Sequence, residues 1–197
     1  MIFQYFLDNN AGWAGLIFED EDISLNYSIS YCMGDNLTEL LGGIIEFIEG
    51  KTKIPSIKDI TEQHFYEDGT FEWNINEEGS NIKFLFTKTE DIKVINLKII
   101  ENYEEEKCVF NKNIKLNELL ENILFSCSEI LRKYGIIGYS LNFWNDFPIV
   151  YYLILKDFIR NEIEIESFCE INNSREQDMF RSNINKEIEY LNIKNET

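Results

Sequence analysis

The sequence has very little proline, histidine and positive charge for its length. Only two of its 197 residues are proline and only one, His64, is histidine. Eighteen lysines and arginines stand against 36 aspartates and glutamates, so the formal net charge is −18. A surface this negative repels nucleic-acid phosphates and anionic lipid head groups, so we expect neither nucleic acid nor a membrane as a partner. The charge favours a basic protein partner instead.

The single histidine also limits catalysis and metal binding. A Ser-His-Asp or Cys-His triad would have to be built on His64, whose neighbours EQHFYEDG are typical of a strand that approaches a turn. Cys32, Cys108, Cys127 and Cys169 are widely spaced and form no CxxC pair, so they predict free thiols in a reducing compartment and no zinc site. No glycine-rich phosphate motif occurs. We therefore expect no cofactor, no metal and no catalytic residue.

Long apolar segments are absent as well. The longest apolar run, Ile149–Leu155, is far too short to cross a membrane. The first residues, MIFQYFLDNN, lack the basic start of a signal peptide. We therefore expect a cytoplasmic protein. Apolar residues still make up 44% of the chain, enough for a substantial core, which excludes disorder over most of its length.

Period-two alternation predicts two groups of strands. ISLNYSISY, Ile23–Tyr31, alternates apolar and polar residues, which indicates a strand with one buried face. Trp13–Phe18 is expected to pair with it in a hairpin, and MIFQYFL is expected to add a third strand. Further along, FEWNI, IKFLF and INLKI predict a three-stranded antiparallel meander. A fourth strand is predicted through Cys108–Phe110.

Two helices have clear apolar stripes. Asn36 is a good N-cap with a glutamate three residues later, and leucines and isoleucines then recur at spacings of three and four. We expect Gly42 and Gly43 to allow close contact between this helix and the sheet. A second stripe runs from Leu116 to Tyr134, and the glycine that follows is expected to end that helix.

The remainder of the chain completes the expected fold. Asp146 and Pro148 suit the start of a third helix over 148–159, although its composition also suits a strand. One more amphipathic helix is predicted within 175–192. We therefore expect an α+β fold, with an antiparallel sheet of five to seven strands packed against two or three helices. Residues 1–160 would form this single domain, and residues 161–197 an acidic C-terminal appendage that is helical or loosely ordered.

Two acidic runs at predicted hairpin ends are the candidate partner-binding residues. The runs FEDED and ENYEEEK contribute Glu19, Asp20, Glu21, Asp22, Glu104, Glu105 and Glu106. Adjacent like charges repel, and Asn-Gly is the favoured turn sequence, so FEDED is an unusual turn. A metal site is disfavoured because the run has no matching ligand geometry. A merely solvated turn and a docking edge for a basic partner both stay open, and two such runs on one small sheet favour docking.

Two further stretches, YCMGDNLTELLGG and GYSLNFWNDFP, are similar to parts of small bacterial proteins. With the acidic α+β outline of residues 13–160, they make the chain resemble the immunity proteins of bacterial polymorphic-toxin and contact-dependent inhibition systems. This resemblance implies binding to one cognate toxin domain, often a basic nuclease, whose active site carboxylates would block in place of phosphates. Two alternatives stay open: an enzyme using acids in a pocket lined by Trp73, Phe143 and Trp144, and a non-catalytic scaffold subunit.

Overall fold

The computed structural model has an α+β fold, as the sequence predicts, with two larger antiparallel sheets and four helices over the residues that it describes. The expectation of a single sheet of five to seven strands is wrong, because the first seven strands divide into a sheet of three and a sheet of four. The structure describes residues 1–8, 12–21, 23–30, 34–49, 65–77, 80–161, 169–172, 179–182 and 184–191.

The described elements follow each other along the chain in a simple order. Their bounds are β1 (Ile2–Leu7), β2 (Trp13–Asp20), β3 (Ile23–Ser30), α1 (Asn36–Glu49), β4 (Phe71–Glu77), β5 (Ser80–Lys88), β6 (Val94–Asn102), β7 (Glu106–Lys115), α2 (Leu116–Phe143), α3 (Ile149–Asn161), β8 (Cys169–Asn172), β9 (Met179–Ser182) and α4 (Ile184–Leu191).

Both larger sheets are antiparallel meanders. The first has the strand order β1-β2-β3 and the second the order β4-β5-β6-β7. The predicted three-stranded meander is therefore confirmed and extended by β7. The register between β6 and β7 shifts at Ile99 and Ile100, which is a β-bulge. β8 and β9 form a separate antiparallel pair.

The two larger sheets face each other across an aromatic core. The ring of Phe84 lies 6.2 Å from that of Phe3 and 6.1 Å from that of Tyr27, and Trp73 lies 5.1 Å from Phe84. All four rings are at most 3% exposed. The Tyr27 hydroxyl also donates a hydrogen bond across the sheets to Glu101 at 2.9 Å. Offset and edge-on ring contacts of this kind add about 0.5–1.5 kcal/mol each to the gain from burial.

Helix α1 uses its glycine pair for close packing, as predicted. A Cβ atom at Gly43 would overlap the ring of Phe71 on β4, and one at Gly42 would lie 3.4 Å from the ring of Tyr151 on α3. The two glycines thus let α1 approach the second sheet and α3 at the same time. Tyr31, the last residue of the predicted β3 alternation, lies outside the described residues.

The N-cap of α1 is Asp35, and the prediction of Asn36 is wrong by one residue. The Asp35 carbonyl accepts the first helical hydrogen bond, from the Glu39 N–H at 2.9 Å, and its carboxylate accepts from the Thr38 N–H at 3.2 Å. Asn36 is instead 1% exposed, and its carbonyl accepts from the Trp73 indole at 2.8 Å. Asp and Asn are equally good caps, so the sequence pattern cannot choose between neighbours.

Helix α2 lies along the free edge of β1. Ser126 Oγ accepts a hydrogen bond from the Tyr5 N–H at 3.1 Å and lies 3.3 Å from the Phe3 carbonyl, to which it can donate. Asn122 Oδ1 accepts from the Phe3 N–H at 3.4 Å. Backbone groups that an edge strand would leave unpaired are thus satisfied by one helix.

The second stripe ends where predicted, but the helix does not stop there. Gly135 has φ 67° and ψ 178°, which breaks the helical path, and a second helical segment continues directly to Phe143. The third helix, α3, is confirmed as a helix at Ile149–Asn161. The expectation of one helix within 175–192 is wrong at Met179–Ser182, which is a strand, and right at Ile184–Leu191.

Helix α4 packs against α3. Tyr190 is 4% exposed and its hydroxyl donates a hydrogen bond to the buried carboxylate of Asp157. Lys156 Nζ donates to the Tyr190 carbonyl at 2.8 Å, and Arg160 bridges Glu189 at 2.9 Å. The division of the chain at residue 160 stays a prediction, since these contacts join the two parts without defining a boundary.

Cys108 and Cys127 are both free thiols. Cys127 is buried in α2 as predicted, and burial raises the pKa of its thiol to about 12. Cys108 is exposed on β7. Cys169 is the first residue of β8, whereas Cys32 and His64 lie outside the described residues. No helix in the described ranges is both long and apolar enough to cross a membrane.

The glycine packing gives a direct stability test. Gly43→Ala should destabilise the fold by about 1–3 kcal/mol, because the Phe71 ring is itself stacked between Phe65 and Phe86 and has no free space to move into. Gly138→Ala is the matched control, since its Cβ would meet only an ordinary contact at 3.4 Å. It should stabilise helix α2 by up to about 1 kcal/mol. Urea denaturation measures the stability of both variants. Equal midpoints for the two would contradict the close contact between Gly43 and the Phe71 ring.

Candidate functional site

The acidic tip between β2 and β3 forms ion pairs with a lysine of the same chain. This tip consists of Glu19, Asp20, Glu21 and Asp22. Lys112 Nζ on β7 lies 2.9 Å from Asp20 and 2.7 Å from Glu21. Their carboxylates, Glu21 first and Asp20 second, hold the pKa of Lys112 well above its usual value. The tip therefore links the first sheet to the second at this corner.

The carboxylates of the tip differ in their partners and exposure. Glu19 accepts a hydrogen bond from Ser24 Oγ at 3.2 Å, and Asp22 lies outside the described residues. Glu21 has a positive φ of 45°, the conformation that two-residue hairpin turns favour for Asn or Gly. Glu21 is 76% exposed and Asp20 only 16%, so Glu21 has the most accessible carboxylate of the described tip residues.

The acidic turn between β6 and β7, Glu104–Glu106, is far more open. All three glutamates are exposed, and Glu106 lies 3.3 Å from Lys83 Nζ. The expectation that both acidic runs belong to one sheet is wrong, because the tip joins strands of the first sheet and the turn joins strands of the second. Lys112, which binds the tip, is six residues along β7 from Glu106, so the two runs are about 20 Å apart.

Two exposed tyrosines of the second sheet lie beside acidic side chains. Tyr66 is 52% exposed and Tyr103 54%. The Tyr66 hydroxyl donates a hydrogen bond to Glu72, and this bond is the main reason that the pKa of Tyr66 is raised to about 12. Smaller repulsive contributions come from Glu106 and Asp68. Tyr103 belongs to the acidic turn itself, and we call Tyr103, Glu104, Glu105 and Glu106 the acidic turn surface.

The sequence predicts the glutamates of this surface but not the exposure of Tyr103 beside them. Each of the two tyrosines stands beside acidic residues, in FYEDG and in NYEEEK. The strand registers align the end of β6, Asn102, with Asn76 at the end of β4, whereas Tyr66 lies before the start of β4. The two tyrosines therefore lie at opposite ends of the second sheet.

A second group of carboxylates is partly buried at the start of α1. Burial, with a smaller contribution from Asp35, raises the pKa of Glu39 to about 7. Burial also raises the pKa of Asp35, against the opposing hydrogen bonds from Thr38. Burial raises the pKa of the Tyr5 and Tyr139 hydroxyls, and neither hydroxyl has a hydrogen bond of normal geometry among the described residues. Glu39 is therefore the member of this group whose pKa lies near neutral.

The aromatic pocket of the enzyme alternative does not form as expected. Trp73 and Phe143 are 0% exposed and belong to the core, so neither can line a pocket, whereas Trp144 is 54% exposed. A cavity of about 280 Å³ lies elsewhere, between α1, the β5–β6 turn and α3, and its lining residues are apolar apart from Lys88 and Thr89. In the described part of the chain, no group of three or more His, Cys, Asp and Glu side chains could hold a metal ion.

Comparison with protein-family models, with curated proteins and with solved structures returns no match for this chain. Roles for the carboxylates described above must therefore come from their geometry. By that criterion the acidic turn surface presents its charge to the outside, while Asp20 and Glu21 of the β2–β3 tip share an ion pair with Lys112.

The pKa of Glu39 predicts an unusual pH dependence. Its folded-state pKa, about 7, lies above the ordinary value of 4.5, so the stability it contributes is fully present below about pH 4.5 and is lost as the pH rises through 7. Glu39→Gln should therefore be more stable than the native chain at pH 8, by about 1 kcal/mol after allowance for partial solvent screening. Near pH 4 the two should be equal.

Urea denaturation between pH 4 and pH 8 measures this difference. Glu121→Gln, an exposed substitution on α2, is the control and should leave the pH dependence unchanged. If Glu39→Gln were less stable than the native chain at pH 8, or if its effect did not vary with pH, burial would not be what raises the pKa of this carboxylate.

Proposed function

We propose that this protein is a cytoplasmic binding protein of the immunity type, which neutralises a basic toxin domain, such as a nuclease domain, by binding to it. Carboxylates of the acidic turn surface would occupy the positions that substrate phosphates take in the toxin's active site. Inhibition by occupancy needs no catalytic residue and no cofactor from this chain. The residues that matter are then those that present charge and contact area on a rigid support.

The exposure of the acidic turn supports this proposal best. Glu104, Glu105 and Glu106 are all exposed, and Lys83 near Glu106 is the one base within ion-pair distance of them in the described part of the chain. Their charge is thus mostly uncompensated. By contrast, Asp20 and Glu21 already share Lys112, which makes the β2–β3 tip the weaker candidate.

The tyrosines strengthen the case for a protein interface. Tyr103 leaves about half of its surface in solvent beside the glutamates of the turn, and Tyr66 leaves about half of its surface in solvent beside Glu72. Tyrosine is enriched in protein interfaces because it combines a large apolar ring with a hydrogen-bonding group and loses little conformational entropy. A surface of glutamates beside an exposed tyrosine is suited to a basic protein with an accessible groove.

The net charge would act before contact is made. A chain of charge −18 attracts a basic partner over long distances, and salt screens this attraction within about 8 Å at physiological ionic strength. Association should therefore slow markedly as salt is added, while dissociation should change less.

The first experiment is genetic and needs no assumption about the surface. The toxin-like gene nearest to the gene for this chain is expressed in bacteria with and without this protein. The proposal expects growth to be rescued and the two proteins to purify as a complex. Absence of rescue together with absence of a complex would reject the immunity function.

Once such a partner is identified, neutralising each acidic run in turn shows which of the two runs contacts it. Replacement of Glu104, Glu105 and Glu106 by glutamine should slow association about three- to tenfold at low salt, with dissociation changed less than about twofold, because exposed charges act mainly on encounter. The matched control neutralises the β2–β3 tip, with Gln for Glu and Asn for Asp, and should have the smaller effect.

Stopped-flow or surface-based kinetics at several salt concentrations measure these rates. Both variants should keep their stability within about 0.5 kcal/mol, apart from the loss of the Lys112 pairs in the tip variant. If the tip variant slows association more than the turn variant, the docking surface lies at the tip. If neither variant changes the rate, neither acidic run belongs to the interface.

A further inference from the structure

The second segment of α2, beyond the break at Gly135, is apolar on both sides. On its inner side, Tyr139 and Phe143 are 0% exposed and their rings lie 5.6 Å apart. On its outer side, Ile137 and Leu141 are 76% and 71% exposed. Large apolar side chains that are exposed next to each other on one helix face often mark a site of interaction. The outer side is therefore a candidate binding surface.

We call the exposed outer side the apolar stripe, and it consists of Ile137, Leu141 and Trp144. Ile137, Leu141 and Trp144 are spaced by four and then three residues, so they project from one face of the helix. Trp144 ends the helix in the left-handed region, at φ 63°, with its N–H bonded back to the helix at 2.8 Å. Its side chain is 54% exposed.

The extent of the stripe indicates what it can bind. From their exposed fractions, the three side chains leave on the order of 400 Å² of apolar surface bare, comparable to the largest apolar patch of a typical monomer. An obligate dimer buries about 1,000 Å² or more on each partner. The stripe is therefore too small for a stable dimer alone and matches the apolar face of a single helix.

Charge at one end of the stripe selects the partner. Asp146 is exposed two residues after Trp144. Burial raises the pKa of the Asp35 carboxyl, and the nearby charge of Asp146 adds a smaller contribution in the same direction. Glu39 lies one helical turn from Asp35 on α1. A second copy of this chain would bring another net charge of −18 to this surface and would be repelled. A cationic occupant would instead relieve the crowding of carboxylates.

Basic residues at the other end of the stripe do not reverse this preference. Arg132 lies 2.6 Å from Glu129, so its charge is offset within the helix. Lys133 Nζ lies 4.9 Å from the centre of the Tyr134 ring. Both precede the break at Gly135, whereas Asp146 follows the stripe.

We propose that the apolar stripe binds an amphipathic basic helix of a partner protein. The apolar side chains of that helix lie on Ile137, Leu141 and Trp144, and its lysines or arginines meet Asp146 and the carboxylates at the start of α1. The choice of a cationic partner rests on the proposed function. The apolar stripe and the acidic turn surface consist of different residues. An experiment can therefore reject the proposed role of one surface without rejecting that of the other.

A designed peptide tests the stripe without the natural partner. The probe is a fluorescein-labelled peptide of leucine and lysine, with leucines spaced for one helix face, and its binding is followed by fluorescence anisotropy. Two control peptides are used: one with the same composition in scrambled order, and one with glutamate in place of lysine. The native chain should bind the first peptide and bind both controls at least about tenfold more weakly.

Matched protein variants locate the contact. The double variant Ile137→Ser with Leu141→Ser should weaken binding of the basic amphipathic peptide at least about tenfold, because both side chains lie at the centre of the stripe. Phe125→Ser, 61% exposed on the same helix before the break, is the control and should change binding less than about twofold. All three substitutions are at exposed positions, and circular dichroism confirms that the fold is kept.

Three outcomes would overturn the proposal. Equal binding by the native chain and the double variant would show that the peptide is held by net charge elsewhere. Equal binding of the glutamate peptide would show that the stripe does not select a cation. Sedimentation that revealed a dimer of the native chain, lost in the double variant, would assign the stripe to a second copy.

Discussion

Hydrogen bonds attach helix α2 to strand β1, because four residues of the helix span nearly the same distance as two residues of the strand. The rest of the fold depends on this attachment. Four residues of an α-helix rise about 6.0 Å, and two residues of a strand about 6.6 Å. Side chains at every fourth position of α2 therefore meet backbone groups at every second position of β1. In order, Glu118 meets the amino group of Met1, Asn122 meets Phe3 and Ser126 meets Tyr5.

The hydrogen bonds between α2 and β1 cover the edge of the first sheet and set the direction of α2. β1 is an edge strand, and an unpaired edge would invite another chain to add to the sheet. Because α2 pairs with that edge through its first segment, its direction is set before the chain reaches Gly135. The break there turns the second segment so that Tyr139 and Phe143 complete the core while Ile137 and Leu141 stay outside. The same helix thus contributes to the core and exposes the apolar stripe.

Periodicity predicted most elements, because each depends on residues that are close in sequence. The alternation in Ile23–Ser30 and the stripe from Leu116 to Tyr134 are both present in the structure. The division into two sheets could not be predicted, since period two shows which side of a strand is buried but not which strands share a sheet. That division depends on contacts such as Phe3 with Phe84.

The candidate site was less predictable for the same reason. The acidic runs are visible in the sequence, but the partner of the β2–β3 tip, Lys112, lies about ninety residues away. No local pattern indicates that pairing, so the tip and the turn looked equivalent. The apolar stripe was missed because Gly135 is typical of a helix end, although Ile137 and Leu141 continue a helical spacing beyond it.

Backbone amide exchange at Tyr5 tests the pairing of α2 with β1 most directly. Among the described residues, Ser126 Oγ is the acceptor of the Tyr5 N–H, so we expect this amide to exchange as slowly as the amides of the central strand β2. We also expect Ser126→Ala to accelerate exchange at Tyr5 while the amides of β2 stay protected. Fast exchange at Tyr5 in the native chain, at the rate of an exposed edge amide of β7, would contradict the account.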